Sequence, residues 1–212
     1  MSSVTTPTEV RLSYTNLLSP RAQSTERPDD LTYSTAILIP KSDTATVELI
    51  RDAVKEALAE GVTKKWGGKR PNGLKNPLRD GDADRPDDEV YAGHYFINAK
   101  GPRGGQEKPI LLDSRGEETS SDGDIYSGVF GLAALQFYPY DKNGNKGVAA
   151  GLSAFQSAGH GDPLGNTVTV DSARKAFGIT TPASDAKDAF AGTKASEPEA
   201  SSDADADDPW ES

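Results

Sequence analysis

The residues DIYSGVFGLAALQFYPY (124–140), DKNGNKG (141–147) and VAAGLSAFQ (148–156) follow one another without interruption. Two strand-like runs flank a loop containing Asn143-Gly144. Asn-Gly between such runs is the strongest short-range hairpin signal, because both residue types accept the positive φ of a tight turn. Side chains alternate along a strand, so Val129, Leu135 and Phe137 share one face, and Tyr126, Phe130, Tyr138 and Tyr140 share the other. The first face is expected to be core and the second an aromatic sheet face. Gly128 and Gly131 are the expected bend or bulge points.

Outward from this hairpin the chain reads mostly as strands. Val10 to Tyr14 alternates weakly and meets a breaker region at Asn16–Pro20. Tyr33 to Ile39 is β-branched and apolar, stops at Pro40, and suits a buried strand. Tyr91 to Ala99 and the short run Ile110 to Asp113 have strand character too. One helix interrupts them. Asp43 or Thr44 is its N-cap, Val47, Ile50, Val54, Ala57 and Leu58 recur at helical spacing, and Gly61 stands where a terminating glycine belongs. Residues 63–89 are loop-like. Short strands, glycine bends and one helix predict a small barrel or curved sheet.

The chain has 212 residues, enough for one domain with an appendage or two very small ones. Only 34% of residues are hydrophobic, against 21 Gly and 14 Pro, so part of the chain is expected to be disordered. Absence of cysteine excludes disulfides, thiol catalysis and iron–sulfur clusters. His94 and His160 leave little material for a histidine-rich metal site. The longest apolar stretch, Gly128 to Leu135, is far short of the roughly 20 residues a membrane span needs. Met1 to Arg11 carries no signal-peptide pattern, and a cytoplasmic protein is expected.

A net charge of −10 first argues against nucleic acid. It is unevenly spread. Residues 183–212 hold nine acids, opposed only by Lys187 and Lys194, and so carry −7. Residues 1–182 hold 24 acids and 21 bases. The 183–212 segment is Ala, Ser, Asp and Glu with little apolar periodicity, and is expected to be disordered. Its tip, Asp207-Asp208-Pro209-Trp210, places one large aromatic in an acidic peptide.

Within 64–79 stand Lys64, Lys65, Lys69, Arg70, Lys75 and Arg79 with no acid, and Trp66 lies among them. A basic, glycine-rich loop holding a tryptophan combines phosphate attraction with a stacking plane. Equally, Trp66 could fold into the core of a solvated loop. A phosphate-cradling loop fails, since Leu74 takes the lysine position after Gly68 and Gly73. Asp80-Gly81-Asp82-Ala83-Asp84 departs from an EF-hand, with Arg85 and Tyr91 where glycine and glutamate belong. It reads as a solvated acidic loop that pairs with the neighbouring bases. Pro86-Asp87 with Gln106-Glu107-Lys108 imitates a metal-dependent nuclease, but in poor strand context. Ser157, His160 and Asp162 form a local turn without a nucleophile elbow. No enzyme, metal or cofactor is expected.

Eight blocks occur in order: VRLSYTNL (10–17), LIPK (38–41), PLRDGD (77–82), GHYFINA (93–99), DIYSG (124–128), FYPY (137–140), GNKGVAAGL (144–152) and GDPLG (161–165). This series resembles a phage-encoded single-stranded DNA-binding protein family built on an OB fold, and the likeness covers nearly all of residues 10–180. It implies a five-stranded, Greek-key OB barrel with one inserted helix over 1–182. It also implies non-catalytic coating of single-stranded DNA in phage replication or recombination. Phosphates would be met by the six bases of the 64–79 loop, and Trp66, Tyr95, Tyr126, Phe130 and Tyr138 are the stacking candidates. The tip Asp207, Asp208, Pro209 and Trp210 is similar to the acidic tips by which such proteins dock replication partners and compete with DNA. Here Glu211-Ser212 follow the aromatic. Oligomeric state stays open. Two other classes remain: a scaffold acting through its acidic tail, and a metal-dependent nuclease.

Overall fold

The computed structural model describes residues 2–165, apart from 23 and 143. The expectations for the 183–212 segment and its tip, and for residues 166–182, lie outside the described residues. Among the described residues there are eight strands: β1 (Ser2–Thr5), β2 (Val10–Ala22), β3 (Leu31–Pro40), β4 (Leu78–Asp80), β5 (His94–Lys100), β6 (Ile110–Leu112), β7 (Phe130–Lys142) and β8 (Asn145–Ser157). The helix α1 (Thr44–Lys64) crosses between β3 and β4.

Pairing runs β7–β2–β3–β5–β8, and β8 pairs again with β7, so the path returns on itself. The pairs are antiparallel except β5–β8 and β6–β8. β1 lies along β7, β4 along β5, and β6 along β8. The core draws on these strands and on the segment before β7: Leu12, Ile37, Ile39, Ile97, Val129, Leu135, Phe137, Leu152 and Phe155 are buried, and Leu38 and Phe96 pack with Ala36 and Tyr91 in a further buried cluster. Burial of each such side chain is worth about 1.5–3 kcal/mol. Ile50, Val54 and Ala57 bring the apolar face of α1 into the same core.

The hairpin is tighter than the expected seven-residue loop, because the ladder continues to Lys142 opposite Asn145. Strand β7 begins only at Phe130. Before it, Asp124 and Ile125 both donate backbone hydrogen bonds to the Ser121 carbonyl, which makes a turn where strand was expected. Likewise β5 begins at His94, after a 3-10 turn over Glu89–Tyr91. Conversely β2 runs straight through the expected breaker. Its two register shifts, after Ser13 and after Asn16, absorb the irregular residues, and Pro20 falls in the unpaired interval.

The helix starts as expected, with the Asp43 carboxylate accepting from the Thr46 amide at 3.1 Å. It does not stop at Gly61. That glycine is inside the last turns because the Trp66 ring packs there: a Cβ would lie 2.5 Å from two ring carbons and 2.8 Å from Pro139 Cβ.

Candidate nucleic-acid interface

Strand parity places Tyr138 and Tyr140 on the outer face of β7, opposite the buried Phe137 and Pro139. Across the ladder, Tyr138 meets Ala149, Tyr140 meets Gly147 and Gln136 meets Gly151. These small partners leave space beside the rings. A groove of about 500 Å³ lies there, with the two tyrosines on one side and Val148, Ala149 and Ala150 along its floor. Both rings are half-buried. Burial raises both phenol pKa values, so the hydroxyls stay neutral across the physiological range.

Cations ring this groove. Lys142 follows the tyrosines on β7, Lys100 comes from β5 beside Asn98, and Lys75 and Arg79 arrive from the segment before and within β4. Lys75 is held by the backbone: its amide donates to the Lys146 carbonyl, and its carbonyl accepts from the Val148 amide, both at 3.0 Å. Such an approach requires glycine at 147, where a Cβ would sit 2.4 Å from the Lys75 carbonyl oxygen. No acidic side chain lines the groove among the described residues, although Arg79 pairs with Asp84 at 2.8 Å beyond its rim. A smaller recess of about 320 Å³ shares Tyr138 and Gly104 and continues past Arg103 and Gln136.

Of the six bases in the 64–79 loop, Lys75 and Arg79 line this groove. Lys64 pairs with Glu60 at 2.9 Å on α1, while Lys65, Lys69 and Arg70 are exposed outside the groove lining. Trp66 departs from its stacking assignment. It is 7% exposed, its indole nitrogen donates to the Tyr140 carbonyl at 3.3 Å, and its ring fills the space over Gly61 and Pro139. A buried plane offers no face to a base; Trp66 instead supports β7 from behind.

The remaining rings separate. Tyr138 lines the groove. Tyr95 sits under Lys41 and Arg51, with the cations 5.1 and 5.7 Å from its centroid. Tyr126 donates its hydroxyl proton to the Gly161 carbonyl at 2.8 Å. Phe130 stacks on His160, with centroids 5.3 Å apart, and the Arg11 guanidinium lies 5.3 Å from its centroid. Parity places Tyr140 on the expected aromatic face, although it is not among the stacking candidates. Asn98, Lys100 and Lys142 were not singled out from sequence, and Lys100 and Lys142 depend on which strands neighbour each other.

The acidic loop is tied up in ion pairs. Lys41 reaches Asp80 at 2.7 Å and Asp82 at 2.8 Å, and Arg85 lies 3.9 Å from Asp88. Hydrogen bonding to Asp80, then to Asp82, raises the Lys41 pKa, and hydrogen bonding to Lys41 lowers that of Asp82. Among the described residues no three His, Asp or Glu side chains gather as a metal cluster. The Ser157 hydroxyl accepts from the Gly159 amide at 3.0 Å, and His160 faces Glu9 at 3.2 Å, so these do not form a nucleophilic pair.

This mainly β architecture of mixed topology resembles the OB-fold-like single-stranded DNA-binding proteins of phages. The bacteriophage Enc34 single-stranded DNA-binding protein, in a structure with ssDNA, superposes with a TM-score of 0.66 at 22% identity, over 77% of this chain and 90% of that one. The bacteriophage T7 single-stranded DNA-binding protein gp2.5 superposes with a TM-score of 0.52 at 16% identity, over 81% of this chain and 97% of that one. In sequence, the model of the family described as Enterobacter phage Enc34, ssDNA-binding protein matches residues 2–190. Protein p50 of Acyrthosiphon pisum secondary endosymbiont phage 1 is 34% identical over 163 residues, 72% of this chain and 82% of that protein. The chain belongs to the Enc34 ssDNA-binding protein family.

Proposed function

We propose that this protein coats single-stranded DNA without sequence preference during phage replication or recombination in the host cytoplasm. The observation that carries the reading is the β7–β8 groove, where two tyrosine rings lie over small residues inside a ring of four cations. Bases of any identity stack on such rings, and the cations neutralise phosphates. Family membership supports the reading. The pairing path through β7, β2, β3, β5 and β8 supports an OB-type barrel as the frame. Residues 1–182 would form the DNA-binding domain. The 183–212 segment would dock replication or recombination proteins through Asp207, Asp208, Pro209 and Trp210, and compete with DNA for the groove cations.

Titration of a labelled oligo-dT at several salt concentrations, with and without Mg²⁺, tests this. Affinity should fall as salt rises, with a log–log slope of about −0.7 per phosphate neutralised, and Lys75→Ala with Lys142→Ala should flatten it by up to about 1.4. Intact DNA is expected with Mg²⁺. Removing residues 183–212 should tighten binding. No binding at low salt, or cleavage, would overturn the proposal.

A further inference from the structure

A second aromatic site lies on β2, outside the β7–β8 groove. Tyr14 is 60% exposed, and its backbone has φ of +48°. A bulky residue in the left-handed region is strained, and such strain persists only where the surroundings enforce it. Here a bulge enforces it. The β2–β3 register shifts between Ser13 and Asn16, the Thr15 amide donates to the Ser127 hydroxyl at 2.9 Å, and the Asn16 side-chain amide donates to the Tyr14 carbonyl at 3.1 Å. Bulges of this kind re-aim a side chain. Tyr14 is turned outward and held there.

What surrounds the ring suits a nucleotide. The Arg85 guanidinium lies 5.2 Å from the Tyr14 centroid and 4.6 Å from that of Tyr91, while the two rings tilt toward each other at 6.5 Å. Beside Tyr14 opens a recess of about 290 Å³. Val90 and Leu164 give it apolar flanks, and Ser13, Ser127 and Asp88 give it polar edges. Two arginines approach one buried ring, that of Phe96. Arg79, which lines the groove, is 4.9 Å from the Phe96 centroid, and Arg85 is 5.7 Å from it. Both arginines are held by partly exposed carboxylates, Asp84 and Asp88, and such pairs yield readily to a competing phosphate.

We infer that Tyr14 is a second base-stacking position, with Arg85 as its phosphate contact, so that a bound strand runs from the Tyr138 groove past Arg79 and Arg85 to the Tyr14 recess. This rests on the single-stranded DNA reading and extends the footprint beyond the hairpin groove. The ligand is one nucleotide of the same strand, stacked by its base and recognised without regard to identity.

Tyr14→Gly is the decisive variant, because glycine accepts the positive φ and removes only the ring. With the full chain and an oligo-dT length series, Tyr14→Gly should weaken binding of long oligomers about tenfold and leave the shortest binding oligomers unchanged. Tyr14→Phe should bind as wild type at every length. An oligomer carrying 5-iodouracil should photocrosslink to the peptide containing Tyr14. If Tyr14→Gly binds every length as wild type and no crosslink forms, while Tyr138→Ala weakens all lengths, the second position is wrong and the groove reading stands. If the wild-type chain binds no oligomer, both fall.

Discussion

Phe130 and Tyr138 stand on the same outer face of β7, eight residues apart, yet they meet different surroundings. At the Phe130 end the chain folds back over the ring. Phe130 exchanges backbone hydrogen bonds with Ala158 and His160, Leu164 donates to the Ser127 carbonyl, and His160 and Arg11 cover the ring. At the Tyr138 end the residues opposite are the small Gly147, Ala149 and Gly151. One end is closed by the protein itself, and the other is open and ringed by Lys75, Arg79, Lys100 and Lys142. Parity decides which face a ring occupies; the segment that follows decides whether it is accessible.

The largest effect that would break this contrast comes from beneath the open end. Trp66→Ala removes the support behind Pro139 and Tyr140 and should lower stability by about 3–5 kcal/mol, measured by denaturant unfolding. Trp66→Phe should recover much of it. A Trp66→Ala chain of wild-type stability with only its DNA binding lost would move that ring to the surface.

A smaller effect separates the two ends directly. Tyr138→Ala should weaken single-stranded DNA binding by about 1–3 kcal/mol with little loss of stability, since the ring is half-buried. Phe130→Ala should leave affinity nearly unchanged and lower the unfolding midpoint instead, because its ring packs against His160 and Arg11.

The smallest effect concerns the acidic loop that places Arg79 at the groove rim. Hydrogen bonding to Lys41 holds the Asp82 carboxyl below its ordinary pKa, so its contribution is complete above the unfolded carboxylate pKa. That contribution is lost as pH falls through the lowered folded value. Acid unfolding of Asp82→Asn should therefore depend less on pH in that window than wild type. An unchanged acid limb would show that the Lys41–Asp82 pair contributes nothing.

Much of the groove was legible before the fold was known. The alternation in 124–140 separated Val129, Leu135 and Phe137 from Tyr138 and Tyr140, and Asn143-Gly144 marked the hairpin that brings β8 across from them. What was hidden depends on neighbours distant in sequence. Nothing near Trp66 signals that Gly61 and Pro139 make room for its ring, because local composition around it is basic and glycine-rich. Lys100 and Lys142 reach one groove because β5 and β7 flank β8, a topological fact that no single stretch contains. Tyr14 looked like the end of a short strand; only the bulge shows that the strand continues while its ring turns outward.

The sharpest measurement is a paired titration of labelled oligo-dT against Tyr138→Ala and Phe130→Ala, at one salt concentration and with unfolding midpoints measured alongside. Loss of affinity confined to Tyr138→Ala, with loss of stability confined to Phe130→Ala, is the expected result. Wild-type affinity in Tyr138→Ala together with weakened binding in Phe130→Ala would contradict the β7–β8 groove as the site where DNA binds.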